Sequence, residues 1–199
     1  MSQKEFWNDK FKDDEFFYGL HPNEFLASNK DLLKIGGDIL FLGEGEGRNA
    51  LYFAKNGFNV SAIDCSDIGL SKLANKAKEK SLNINLFCED LTTWESSKKY
   101  DAVLISYLHM HTNDLEKLFL NIENSLNSGG YFIAEFFSKN QLKYSSGGPK
   151  NIDLLYSIED FKNRFNSCTK NVKEELVVLD EGFGHQGEAS VIRVVIKKQ

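Results

Sequence analysis

A short apolar run followed by a glycine-rich turn constrains this chain more than any other stretch. Residues 39–42 are all apolar, as in a strand that is buried on both faces of a sheet. The turn GEGEG at 43–47 follows, and residues 48–56 then have helical spacing that stops at Gly57. Strand, glycine-rich turn and helix in this order open a nucleotide-binding α/β domain. The sequence therefore predicts a parallel sheet whose first loop passes close beneath a ligand.

The composition of this turn separates two kinds of ligand. A dinucleotide fingerprint, G-x-G-x-x-G, needs a third glycine where this chain has Arg48. Glu44 and Glu46 would also repel a pyrophosphate, whereas S-adenosylmethionine (SAM) carries a sulfonium and an ammonium and no phosphate. The turn favours SAM as the cofactor. An NAD(P)-dependent reductase and a glycine-rich loop without a ligand are the alternatives.

Length and charge limit the class of protein. The 199 residues suit one domain, 1–199, in which residues 1–35 form an N-terminal helical lid segment. The net charge of −5 argues against a nucleic-acid surface. Three widely spaced cysteines without a C-x-x-C motif predict reduced thiols, and no run has the length of a membrane span. We expect a cytoplasmic monomer or homodimer that acts on a small molecule, without nucleic-acid or membrane partners.

Acidic residues follow two of the predicted strands. Asp64 ends the strand at 58–63, and Asp90 comes shortly after the strand at 84–87. Ligands lie at the carboxyl ends of parallel strands, so Asp64 can accept both hydroxyls of a ribose and Asp90 can accept the amino group of an adenine. Each acid has an alternative role as a cap, although Ser66 or Asp67 could cap the helix at 67–80 instead of Asp64.

Histidines follow the fourth predicted strand, Tyr100–Ser106, which is apolar enough to be central in the sheet. The H-x-H pair, His109 and His111, resembles a metal pair, but no third His or Cys is nearby, so we expect no metal. Packing of His109 and helix capping by His111 are the structural alternatives. Either ring could instead act as a base or contact a substrate.

Aromatic rings near the start and a carboxylate inside a strand each need a partner. Residues 3–18 carry Trp7, Phe11 and other rings, which either pack on the core or cover a ligand as a lid. Glu135 lies within the otherwise apolar fifth strand at 131–137. A carboxylate there is costly unless it is paired or lies at the mouth of a site.

Two segments near the C-terminal end are candidates for the wall of the acceptor pocket. Residues 138–150 form a glycine-rich loop that includes Tyr144, and loops of this length in a compact domain are often functional. The β-rich runs at 172–181 and 189–197 predict an antiparallel hairpin with His185 at its tip. We expect the loop and the hairpin tip to face the same pocket.

Five motifs carry a resemblance that extends over nearly the whole chain. They are WNDKF at 7–11, YG with PNEFL at 18–26, GEGEGRN at 43–49, GGPK at 147–150 and HQGEA at 185–189. The chain resembles small bacterial methyltransferases related to tellurite resistance, with thiol methyltransferases as more distant relatives, within the class I SAM-dependent methyltransferases. This resemblance implies a Rossmann-like, doubly wound, mostly parallel seven-stranded sheet with a C-terminal antiparallel hairpin. Phe41 departs from the pattern, since an acid commonly stands two residues before the first glycine.

The resemblance and the strand ends together define the candidate site. The residues expected to contact SAM are Trp7, Gly43, Glu44, Gly45, Gly47, Arg48, Asp64, Cys65, Asp90, Leu91 and Tyr107. The candidate catalytic residues are His109, His185 and Tyr144. The expected reaction is methyl transfer to a thiol, a tellurite-like compound or a small hydroxyl or phenol. A SAM-binding module without catalysis is a further alternative.

Overall fold

The apolar run at 39–42 lies inside a seven-stranded sheet. The structure is a computed structural model that describes residues 1–96, 98–166 and 168–199. The strands are β1 (Asp38–Leu42), β2 (Asn59–Asp64), β3 (Ile84–Cys88), β4 (Tyr100–Ser106), β5 (Leu126–Phe137), β6 (Cys168–Glu181) and β7 (His185–Lys198). Their order in the sheet is β3-β2-β1-β4-β5-β7-β6. β1 to β5 pair in parallel, and β7 is antiparallel to both β5 and β6. The predicted fold class is therefore confirmed.

Both faces of the sheet are covered, which explains the continuous apolar run of β1. The helices are α1 (Gln3–Lys10), α2 (Glu24–Ser28), α3 (Arg48–Lys55), α4 (Asp67–Glu79), α5 (Leu115–Ser125) and α6 (Glu159–Lys162). Leu40 and Leu42 pack in the apolar cluster that includes Phe119 of α5. Ile39 and Phe41 pack in the opposite cluster with residues of α3 and α4. Because successive side chains of a strand point to opposite faces, both sets must be apolar.

Pro22 and Asn23 predict a helix at 24–33, and the helix in the structure is shorter. α2 ends at Ser28, and a 3-10 turn follows at Lys30–Leu32. Asn29 donates its side-chain Nδ2 to the carbonyl of Phe25 at 2.8 Å. The backbone N–H of Asn29 is shared between the carbonyls of Phe25 and Leu26 at 3.3 and 3.2 Å, and the chain passes from the α-helix into the 3-10 turn at this residue.

The C-terminal hairpin is longer than expected. β6 and β7 pair continuously up to Glu181 opposite His185. The connecting turn is therefore only residues 182–184, and His185 begins β7 instead of lying at the tip. The His185 residue is 2% exposed. No helix in the described part of the chain combines the length and apolarity needed to cross a membrane.

Candidate functional site

A cleft with a free volume of about 1050 Å³, its open mouth included, lies at the carboxyl ends of the first four strands. All of the residues expected to contact SAM border it: Trp7, Gly43, Glu44, Gly45, Gly47, Arg48, Asp64, Cys65, Asp90, Leu91 and Tyr107. The parallel strands account for this assembly, because their carboxyl ends meet at one edge of the sheet. The cleft is also bordered by Phe11, Tyr18, His109 and His185.

The glycines of the first turn allow a backbone that other residues would resist. Gly43, Gly45 and Gly47 have φ values of +67°, +60° and +90°. A Cβ on Gly47 would lie 2.3 Å from Cδ1 of Leu73 on α4. Both the left-handed backbone and the close approach of α4 therefore require glycine at position 47.

Glu44 faces inward and caps α3. Its Oε1 accepts a hydrogen bond from the backbone N–H of Ala50 at 2.7 Å, and its Oε2 accepts one from Nδ2 of Asn49 at 3.3 Å. Burial raises the pKa of Glu44 to about 7, although these hydrogen bonds act in the opposite direction. The carboxyl group supplies the cap that Gly47, at the helix N-terminus, cannot provide.

Glu46 borders the cleft and also holds the N-terminal arm. Its carboxylate forms an ion pair with Lys72 of α4 and accepts a hydrogen bond from the backbone N–H of Phe17 at 2.7 Å. Lys72 also donates to the carbonyls of Asp13 and Glu15 at 2.7 and 2.6 Å. The two acids of the turn thus have different structural roles, which the sequence pattern did not distinguish.

Asp64 lies where a ribose-binding carboxylate was predicted. Its Oδ2 accepts a hydrogen bond from the backbone N–H of Gly45 at 2.8 Å, and its Oδ1 accepts one from that of Ser66 at 2.7 Å. The α4 cap is Ser66, whose hydroxyl accepts from the N–H of Gly69, so Asp64 is not the cap. Burial raises the pKa of Asp64. Two backbone N–H donors thus hold the Asp64 carboxylate in place at the wall of the cleft.

The residues that follow β2 and β3 complete this end of the cleft. Asp90 is exposed, and its Oδ1 accepts hydrogen bonds from the backbone N–H and the hydroxyl of Thr92 at 2.9 and 2.8 Å. The capping role foreseen for Asp90 is therefore present, and it uses one of the two oxygens. Burial and then the charge of Asp64 raise the pKa of Cys65 to about 12, so its thiol stays protonated.

His185 lies at the other end of the cleft among aromatic rings. Its ring centroid is 4.5 Å from that of Tyr18, 4.4 Å from that of Tyr107 and 5.0 Å from that of Phe137. Its Nδ1 lies 3.1 Å from Oε2 of Glu181, the residue opposite it in the hairpin. The pairing register of β6 and β7 therefore places a carboxylate directly behind the imidazole.

Glu181 joins this histidine to the glycine-rich turn. Nη2 of Arg48 donates to Oε2 of Glu181 at 2.9 Å, and both side chains are almost fully buried. Burial acts to raise the pKa of Glu181, but the hydrogen bonds from His185 and Arg48 outweigh it and lower the pKa. Glu181 is therefore a carboxylate at neutral pH.

The carboxylate within β5 has the partners that its burial requires. Glu135 accepts hydrogen bonds from the hydroxyl of Tyr107 at 2.6 Å, from Nδ2 of Asn23 at 2.7 Å and from Nε of Arg193 at 2.6 Å. Tyr107 has a φ of +53°, which is uncommon for a residue with a side chain. These bonds fix its ring beside His185.

Comparison with known proteins agrees with this geometry. Residues 39–130 match the family model described as a methyltransferase domain. A ubiquinone biosynthesis O-methyltransferase of Rickettsia akari (strain Hartford) is 29% identical over 119 residues, which are 60% of this chain and 47% of that protein. The probable S-adenosyl-L-methionine-dependent methyltransferase TehB of Haemophilus influenzae (strain 10810) is 27% identical over 95 residues, 47% of this chain and 33% of that protein. The chain thus spans half or less of the length of these curated relatives.

Solved structures show the same architecture. The crystal structure of TehB from Haemophilus influenzae superimposes with a TM-score of 0.75 at 15% identity, covering 98% of this chain and 67% of that one. A SAM-dependent methyltransferase from Clostridium acetobutylicum ATCC 824 gives a TM-score of 0.66 at 18% identity, covering 99% of this chain and 92% of that one. The chain thus has the fold of class I methyltransferases, and residues 39–130 resemble a methyltransferase domain. The predicted resemblance is confirmed, and a dinucleotide reductase is not favoured.

The two remaining candidate catalytic residues, His109 and Tyr144, lie in different places. His109 borders the cleft, with its ring centroid 6.1 Å from that of Trp7 and 6.2 Å from that of Phe137. Burial lowers the pKa of His109 to about 3. Tyr144 does not border the cleft but a separate groove beside the start of β7. Tyr144 directly follows the 3-10 turn at Lys139–Lys143.

The glycines of the same loop pack behind His185. A Cβ on Gly147 would lie 2.6 Å from Cδ2 of His185. Nε2 of Gln141 donates to the carbonyl of Gly147 at 3.1 Å and so holds this approach. The loop supports the imidazole from outside the cleft, whereas the sequence predicted that it would line the pocket.

The sequence reasoning also missed the partners of the buried acids, namely Glu181, Asn23 and Arg193. The sequence offered one signal for these partners, because Glu135 was recognised as a carboxylate within a strand that needs a partner.

Among the described residues no group of three or more His, Cys, Asp or Glu side chains is arranged to hold a metal ion.

Proposed function

We propose that this protein transfers the methyl group of SAM to a small-molecule acceptor. The observation that carries the proposal is the meeting of the glycine-rich turn after β1 with Asp64 after β2 and Asp90 after β3 at one cleft. Trp7 and Phe11 of the N-terminal segment border the same cleft. This arrangement offers polar partners for each end of a nucleoside and an aromatic cover above it.

The residues present fit SAM. The Asp64 carboxylate at the wall of the cleft suits the ribose hydroxyls, and the second oxygen of Asp90 suits the amino group of the adenine. The three glycines of the turn at 43–47 border the cleft without side chains and so leave room for the amino-acid end. When bound, SAM supplies a methyl group on a cationic sulfur. The protein then has to align the acceptor and exclude water, which can lower a barrier by about 7–11 kcal/mol.

The same residues suit a dinucleotide poorly. In a dinucleotide-binding domain the pyrophosphate sits on the N–H groups at the start of the helix after the glycine-rich turn. Here the N–H of Ala50 already donates to Glu44, and Glu44 is buried at that position. A phosphate would therefore meet a carboxyl group and an occupied donor. This supports SAM over NAD(P).

A small acceptor is supported by how the far end of the cleft is closed. Tyr18 of the N-terminal arm packs against His185 at the start of β7. The backbone N–H of Phe183, in the turn between β6 and β7, donates to the carbonyl of Phe17 at 3.0 Å. The arm and the turn thus close over the cleft together. A solved relative in fold, coclaurine N-methyltransferase, has N-methylheliamine and S-adenosylhomocysteine (SAH) bound, with a TM-score of 0.66 at 15% identity.

Calorimetric titration of the purified protein with SAM, SAH and NADH tests this proposal. We expect SAM and SAH to bind and NADH not to bind. The variant Asp64→Asn should weaken SAM binding, whereas Asp31→Asn, at a side chain that is 92% exposed, should not. Binding of NADH without binding of SAM would overturn the proposal. Circular dichroism of both variants checks that a loss of binding does not come from unfolding.

A further inference from the structure

The imidazole of His185 is held in one tautomer. The Glu181 carboxylate lies 3.1 Å from Nδ1, and a carboxylate can only accept a hydrogen bond. Nδ1 therefore carries the proton. Burial lowers the pKa of His185, although Glu181 acts to raise it, so the ring is neutral at pH 7. A neutral ring with its proton on Nδ1 leaves Nε2 with an unprotonated lone pair.

Nε2 is also the nitrogen that the fold leaves available. Within the described residues it makes no hydrogen bond, and His185 borders the cleft. The charged groups that act on the ring are Glu181 of β6, Arg48 of α3 and Lys10 of α1. The ring also acts on His109 after β4. The aromatic hydroxyls beside it belong to Tyr18 and Tyr107, and burial raises the pKa of both, so they stay neutral.

His109 is the less suitable base of the two histidines at the cleft. Its pKa of about 3 gives it little affinity for a proton at neutral pH. Its ring instead lies in a stack between Trp7 and Phe137, with interplanar angles of 17° and 19°. His109 therefore contributes a flat surface, whereas the carboxylate-supported ring of His185 can take up a proton.

The walls of this end of the cleft are aromatic. Trp7, Tyr18, Tyr107 and His109 all border it. Flat rings pack best on other flat rings, in offset-stacked or edge-to-face arrangements. An acceptor that is itself a planar ring makes fuller use of these walls than a small inorganic anion or an aliphatic thiol. The base at His185 and the aromatic walls thus favour the same class of methyl acceptor.

We propose that the methyl acceptor is a phenol-type hydroxyl, with His185 as the catalytic base and Glu181 as its positioning residue. The inference rests on the proposed function. In the reaction the acceptor oxygen forms a bond to the methyl carbon, while the C–S bond breaks and its electron pair stays on sulfur. The hydroxyl proton moves to Nε2 of His185. A soft nucleophile, such as a thiolate or reduced tellurium, would need no such base.

The test compares acceptors of different acidity in the intact protein. Initial rates with saturating SAM are measured for catechol, for 4-nitrocatechol, for small thiols and for tellurite. We expect catechol to be methylated, and His185→Gln to lower its kcat by about 10²–10⁴-fold. The nitro compound is already ionised at the assay pH and needs no base, so its rate should fall less than 10-fold in the same variant. His21→Gln, an exposed histidine in a turn, is the matched control.

Glu181→Gln separates positioning from packing. Because the Glu181 charge raises the pKa of His185, its removal should move the acidic limb of the catechol kcat/KM profile to lower pH. A purely structural role would lower activity without moving this limb. Glu188→Gln, an exposed position on the same hairpin, is the control and should leave the profile unchanged.

The outcomes separate this inference from the proposed function. If SAM fails to bind by calorimetry, the proposed function fails. If SAM binds but only thiols or tellurite are methylated, or if neither phenol is methylated, the acceptor class is wrong. If His185→Gln slows both phenols equally, or the acidic limb stays in place in Glu181→Gln, the base assignment is wrong.

Discussion

The substitution Gly47→Ala should destabilise the fold because two separate costs meet at one Cβ. The residue has a φ of +90°, and the left-handed backbone costs a side chain about 1–2 kcal/mol. The added Cβ would also lie 2.3 Å from Cδ1 and 2.7 Å from Cγ of Leu73, which is fully buried. Overpacking of a buried site costs about 1–3 kcal/mol. Together the two effects predict a loss of about 2–5 kcal/mol in the free energy of unfolding.

Gly129→Ala is the matched control for the backbone cost alone. This residue also has a positive φ, +77°, but a Cβ there would meet no atom within 4 Å. Its expected loss is about 1–2 kcal/mol. Urea unfolding at constant pH, with equal m values required for both variants, measures the difference.

A double variant isolates the clash. Leu73→Ala alone should cost about 2–5 kcal/mol because it leaves a cavity in the core. Combined with Gly47→Ala, the total should be smaller than the sum of the single costs, because the new methyl group enters the vacated space. Equal losses for Gly47→Ala and Gly129→Ala, or strictly additive costs in the double variant, would refute the reasoning.

Two further predictions concern the buried carboxyl groups of the glycine-rich turn. The variant Lys72→Met leaves the Glu46 carboxylate buried without its cation. It should speed amide hydrogen exchange at residues 11–17 and lower the free energy of unfolding by about 3–5 kcal/mol. The control Lys76→Met removes an exposed ion pair on the same helix and should change neither quantity. The pKa of Glu44 is about 7 in the folded state, against an ordinary value of 4.5, so the folded state binds this proton more tightly than the unfolded state does. The free energy of unfolding should therefore fall as the pH rises from about 4.5 through 7. Glu44→Gln should reduce that slope in urea unfolding measured across this pH range, and an unchanged slope would contradict the burial of a protonated Glu44.

Much of the fold could be predicted because its signals are local. The apolar run of β1 arises from two covered faces, and each acid that follows a strand marks the ligand edge of a parallel sheet. Asp64 and Asp90 were therefore placed at the correct edge without knowledge of the strand order. The helix cap at Ser66 was also foreseen, which left Asp64 available for a ligand.

The end of the cleft near His185 depends on the pairing register of β6 and β7, so it could not be predicted from local signals. The sequence predicted a wide turn at 182–187, which would leave His185 at the tip of the turn and unpaired with Glu181. In the structure β7 already begins at His185, so the turn is only residues 182–184 and Glu181 lies directly opposite His185. Likewise, Glu135 faces Arg193 only because β7 inserts between β5 and β6. Such contacts depend on the order of the strands in the sheet, which cannot be read from the spacing of apolar residues.

The roles of the two acidic side chains in the glycine-rich turn also could not be predicted from the sequence. The pattern treated Glu44 and Glu46 as one negative patch facing the ligand. In the structure Glu44 serves the backbone of α3, while Glu46 serves Lys72 and the N-terminal arm. Residue type and spacing identify a charged turn, but the backbone path decides which donor each carboxylate meets. Tyr144 likewise borders a separate groove and not the cleft, which its place in a glycine-rich loop did not indicate.

The central claim is that a SAM-derived ligand occupies the cleft between Asp64 and His185. A crystal structure of the protein with SAH tests it most directly. We expect the ribose hydroxyls to hydrogen-bond to the Asp64 carboxylate and the sulfur to face the end of the cleft bordered by His185. SAH bound elsewhere, or bound with its ribose away from Asp64, would contradict the proposed cofactor site.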